Sequence, residues 1–131
     1  MFQTYYDDKQ IELLIDGSRQ DYLQLSRYVQ RAIESRSEVV IPVQTTGPTA
    51  VSHLIVRAGA STNRVSFENA RIIFSIAPEL QPQFLSFIEF PENVSTGYHH
   101  HYDAVGDDGT YVAVDSLAVV FVLSRDTSEV D

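Results

Sequence analysis

The run SRQDYLQLSRYVQRAIESR, residues 18–36, is the only stretch of the chain that reads as a long helix, and its reading decides the fold class. Ser18 stands three residues before Asp21, a capping signal in which the hydroxyl accepts an amide of the first turn and the acid meets the positive end of the helix dipole. Tyr22, Leu25, Val29, Ala32 and Ile33 fall at spacings of three and four, with Leu23 and Tyr28 beside them. Those spacings make one apolar stripe, and a stripe of that kind has to be buried against another element. Gln20, Gln24, Arg27, Arg31 and Glu34 lie largely off it, and Arg36 is placed in the last turn, where a cation is favoured.

Outward from this helix, the chain reads as strands and turns. Ile11 to Ile15 is a first strand, turned into the helix by Asp16-Gly17. Glu38 to Val43 is a strand whose Pro42 marks an edge or an end, since proline has no amide to donate. His53–Ala58, Arg64–Phe67 and Ala70–Ile76 follow, separated by turn residues. Gln83 to Phe90 has apolar residues on both parities and is read as a covered strand. Gly97 to Asp103 is a strand rich in rings. The sequence Gly106-Asp-Asp-Gly109 is a hairpin turn from which Tyr111–Val114 pairs back, and Leu117–Leu123, the most apolar run, is a central strand. The expected fold is α+β, one domain over residues 1–131, with a mainly antiparallel sheet of seven or eight strands and one long helix packed on a face. The tail from residue 124 is expected to fray.

Composition narrows the function. At 44% hydrophobic residues the chain can build a core, and with no Cys it has neither disulfides nor thiol chemistry. The N-terminus carries no secretory pattern and no run approaches a membrane span, so a soluble cytoplasmic protein is expected. The net charge of −9 is unevenly distributed. Residues 1–78 hold eight acids and eight bases, whereas residues 79–131 hold ten acids and Arg125 alone. Such a field repels phosphate backbones, which excludes nucleic acid, and attracts basic protein surfaces.

The most pointed constellation is Tyr98-His-His-His-Tyr-Asp103. On a strand, alternate side chains share a face. His99, His101 and Asp103 then form one set, with donors suited to Zn²⁺ or non-haem Fe²⁺, and Tyr98, His100 and Tyr102 form the other. A fourth ligand would have to come from elsewhere. The rings also fit a half-exposed strand packed on a core, or a surface that contacts a partner, with Asp107 and Asp108 adding acidity. Phosphate-loop, dinucleotide-binding, nucleophile-elbow and zincin motifs are all absent. Glu89 and Glu92 are paired acids no different from surface charge, and Arg27 with Arg31 makes a solvated helix face.

The strand Ile11–Ile15 with the helix after it, together with the His-His-His-Tyr-Asp strand and the late apolar strand Leu117–Leu123, resembles small α+β immunity proteins of bacterial polymorphic-toxin systems. Between these pieces the chain carries extra strands, about residues 38–90. The resemblance implies an intracellular, non-enzymatic protein that neutralises a toxin by binding it. Three readings follow. The leading one is a non-catalytic binding protein with an acidic, His/Tyr-bearing sheet surface, free of cofactors and docking a basic partner. The second is a metal-binding protein or metalloenzyme built on His99, His101 and Asp103. The third is a homo-oligomerisation module, a homodimer formed through a sheet face or edge.

Overall fold

A computed structural model describes residues 1–10, 12–59, 61–104 and 111–124. Its elements, in chain order, are β1 (Gln3–Tyr6), β2 (Glu12–Gly17), α1 (Arg19–Ser35), β3 (Val39–Pro42), β4 (Gln44–Thr45), β5 (His53–Ala58), β6 (Arg64–Glu68), β7 (Arg71–Ile76), a 3₁₀ turn (Pro78–Leu80), α2 (Gln81–Phe87), β8 (His99–Tyr102) and β9 (Ala118–Leu123). The nine strands form two sheets, one ordered β4-β1-β2-β9-β8 and the other β3-β5-β7-β6.

The expected fold, one mainly antiparallel sheet under one long helix, is therefore corrected. Both sheets are mixed: β1–β4, β2–β9 and β5–β7 run parallel, while β1–β2, β3–β5, β6–β7 and β8–β9 run antiparallel. The parallel pair β2–β9 joins the two ends of the chain, which no local pattern announces. The helical part is also divided. The segment read as a strand from Gln83 is α2, opened by Pro82 in its first turn. Its apolar residues suited either period. Phe84 and Ile88, four apart, are the ones that bury. Tyr111–Val114 forms no hairpin strand either. Val112 instead makes an isolated parallel bridge to Asn63. The Gly106–Gly109 turn, Asp107 and Asp108, and the tail beyond Ser124 lie outside the described residues.

Helix α1 begins as its sequence dictates. Ser18 Oγ accepts from Asp21 N, and Asp21 Oδ2 accepts from Ser18 N, so both halves of the capping box are made. Tyr22, Leu25, Val29 and Ala32 bury, while Leu23 stays exposed. Arg36 is not a last-turn cation. It is the left-handed cap at φ 51°, its amide donating to Ala32 O.

The core lies between the sheets. The Phe74 ring on β7 stacks 6.1 Å from Phe121 on β9, and Tyr6 on β1 meets Phe67 on β6 at 4.9 Å. Helix α1 reaches both layers, touching β3 and β5 on one side and β2 on the other. Helix α2 inserts Phe84 among Phe74, Phe121 and Tyr102. Arg19 fixes the chain after α2, its guanidinium donating to the carbonyls of Phe90, Pro91, Glu92 and Val94. Among the described residues, no helix is long and apolar enough to cross a membrane.

Candidate functional site

Strand β8 is the edge of the five-stranded sheet, and its residues alternate between two environments. On the inner face Tyr102 is fully buried. Its ring packs edge-on to Phe84 and Phe87, and its hydroxyl accepts from Asn63 Nδ2 at 2.9 Å. Asn63 is itself a buried junction: Ala77 N donates to Oδ1, while its backbone bonds Tyr111 and Ala113. His100, also inward, is half-buried against Phe90 and Phe87, with Nε2 3.3 Å from Glu89 O. Tyr98 continues this side but is 44% exposed at the rim. Of the described residues proposed from sequence for partner contact, Tyr102 is thus a core residue, His100 a supporting one, and Tyr98 is open; Asp107 and Asp108 lie outside the described residues.

His99 and His101 face outward and are exposed, their ring centroids 5.0 Å apart. Asp103 is half-buried and has an interaction of its own. The sequence proposed these three as a metal set. The structure brings the two histidines together, and among the described residues no group of three or more His, Asp or Glu is arranged to hold a metal ion.

The outward face extends across the whole sheet. By register, one row runs His99, Val122, Asp16, Gln3 and Gln44, and the next runs His101, Val120, Leu14 and Tyr5. A third pairs Ala118 with Glu12. β1 and β2 alternate strictly between exposed and buried residues up to Leu14. Both helices lie on the inner side, where the buried residues of α1 and α2 meet the core. Tyr5 and Leu14, cross-strand partners, are 48% and 36% exposed, which leaves an apolar strip open to solvent. Glu12 and Asp16 flank it, and neither is paired with a cation among the described residues. The Asp16 Oδ1 is buried without a hydrogen-bond partner. Its charge, after burial itself, raises the Tyr22 phenol above its ordinary range.

The outer face of the four-stranded sheet differs in charge. Its rows carry Arg57, Arg64 and Arg71, with His53. Arg57 meets Glu38 at 3.7 Å and Arg64 meets Asp115 at 3.0 Å, so much of its charge is neutralised within the fold. A polar hollow of about 560 Å³ lies there, between Arg57, Arg64 and Thr62. A groove of about 620 Å³ between α1 and the end of α2 is lined by Leu23, Ile88, Phe90, Glu89 and Glu92. Comparison with protein-family models, with curated proteins and with solved structures finds no match.

Proposed function

We propose that this chain is a non-catalytic binding protein whose contact surface is the outer face of the five-stranded sheet, and that its partner is a basic protein. The observation that carries this reading is the pairing of an open apolar strip, Tyr5 with Leu14, with two carboxylates, Glu12 and Asp16, that no cation of the described residues neutralises. Apolar centres flanked by unpaired charge suit protein contact: burial of the strip contributes affinity, and charge sets the partner and the encounter rate. The net charge of −9 likewise favours a basic partner over an acidic one.

An immunity-type inhibitor of a basic bacterial toxin is the most concrete form of this reading. It agrees with the β2–α1 start and the ring-bearing strand noted in the sequence, and it would act inside the cell by binding rather than by catalysis.

The test starts from a protein captured with this chain from its source cell. Titration calorimetry then compares that complex with one made by the Tyr5→Ser/Leu14→Ser double variant. We expect about a tenfold or greater loss of affinity, the size of a contact hot spot, and weakening of the unsubstituted complex as salt rises. An unchanged affinity, or a complex insensitive to salt, would remove the reading.

A further inference from the structure

His99 and His101 are exposed on β8, the outermost described strand of the five-stranded sheet, with ring centroids 5.0 Å apart. A structural Zn²⁺ site is closed by four ligands, with histidine nitrogens at about 2.0–2.1 Å. Within one copy only two imidazoles converge, and no third His, Asp or Glu of the described residues joins them in a metal-holding group. The missing half is specified by the backbone. In the β8–β9 ladder Leu123 N donates to Tyr98 O. Antiparallel residues alternate in the direction of their backbone groups. Tyr98, His100 and Tyr102 therefore direct theirs to β9, and His99 and His101 direct theirs away, toward the side of β8 that no described strand pairs with.

We propose that Zn²⁺ joins two copies of this chain edge to edge through β8, with His99 and His101 of each copy as the four ligands. In the antiparallel register centred on His100, His99 of one copy stands opposite His101 of the second. Both are outward-bonding positions, so they form hydrogen-bonded pairs with Cα atoms about 5.5 Å apart. All four imidazoles then lie on the same outer face of a continuous sheet. Four imidazole nitrogens around one ion are a donor set that suits Zn²⁺.

The ion is required for assembly. Each chain carries a net charge of −9, so two copies repel. Strands of four residues bury too little on their own to hold a pair together. The inference concerns β8 at one margin of the outer face, whereas the proposed partner contact centres on Tyr5 and Leu14 of β1 and β2, and either can fail alone.

The experiment is light scattering after size-exclusion chromatography on protein prepared without a polyhistidine tag, titrated with Zn²⁺ alone. The expected result is a monomer in chelator and a dimer at saturation holding half an equivalent of Zn²⁺ per chain. His99→Ala and His101→Ala should each lose the dimer and the tight zinc, and His53→Ala on β5 should lose neither. Both substituted rings are exposed, so circular dichroism of the variants should be unchanged. In the wild type, Co²⁺ should give the intense visible absorption of a tetrahedral site. A monomer binding one equivalent, a dimer that survives His99→Ala, or no saturable binding would each overturn the proposal.

Discussion

The inner and outer faces of the five-stranded sheet are built from the same kinds of residue and have opposite fates. Tyr102, His100 and Tyr6 point inward. Tyr5, His99 and His101 point outward. The Tyr102 hydroxyl is hydrogen-bonded and its ring is enclosed by three phenylalanines, while Tyr5 is 48% exposed. A tyrosine or histidine in this chain therefore carries no role by its type. Its parity on the strand decides whether it holds the fold or meets solvent, because a shift of one residue exchanges every side chain between faces.

The strongest way to break that contrast is to remove a ring from each side. Tyr102→Ala should cost about 3–5 kcal/mol, the usual loss for a large buried aromatic, and Tyr5→Ala should cost less than about 0.5 kcal/mol. Urea denaturation of both variants measures the gap, and equal losses would contradict the assignment of faces.

Next in size is the junction beneath Tyr102. Asn63→Ala removes the bonds to Tyr102 and to Ala77 N and leaves buried polar groups without them. We expect a loss of about 2–4 kcal/mol at about 1–3 kcal/mol for each group affected, seen as a lower thermal midpoint.

A pH series sharpens the same distinction. Burial first, then Asp8 and Asp7, raises the Tyr6 phenol, and burial with Asp16 raises Tyr22. Each folded pKa lies above the unfolded value of about 10. Above that pH the unfolded chain has released protons that the native chain retains, so stability must fall as pH rises. The contribution of these two phenols should be constant below about pH 9 and then decline by up to about 1.4 kcal/mol per pH unit for each group. Tyr6→Phe should reduce the slope. A wild-type slope of zero above pH 10 would contradict the burial of these phenols.

The smallest contrast lies within the histidines. His100→Ala, losing contacts with Phe87 and Phe90, should cost about 1 kcal/mol. His99→Ala with His101→Ala, in chelator, should stay within about 0.5 kcal/mol of wild type. Denaturant midpoints measure both, and a larger loss for the outward pair would reverse the reading of β8.

Much of this was legible in the sequence, for identifiable reasons. The capping box of α1 and its buried stripe are local signals, and the apolar runs of β5, β7 and β9 identify strands without tertiary information. The parity of the β8 histidines follows from the two-residue period alone. Strand β1 was missed because it is four residues long and one inward position is Thr4, although Phe2, Thr4 and Tyr6 do alternate. Helix α2 reads as a strand in the sequence because Phe84, Leu85, Phe87 and Ile88 satisfy a covered strand as well as a short helix, and Pro82 lies in its first turn, where proline is tolerated. The division into two sheets was illegible. Pairing β2 with β9 brings together residues about a hundred positions apart, and nothing in either strand encodes its partner. The outer face of the five-stranded sheet was illegible for the same reason: Tyr5, Leu14 and Glu12 meet the histidine strand only through that pairing.

The most direct test of the contact face is site-specific photo-crosslinking in the source cell, with the photoreactive residue placed at Leu14 or, as its counterpart on the other sheet, at the exposed Val40. The account predicts a covalent adduct with a basic protein from Leu14 and none from Val40. An adduct from Val40 alone would contradict it.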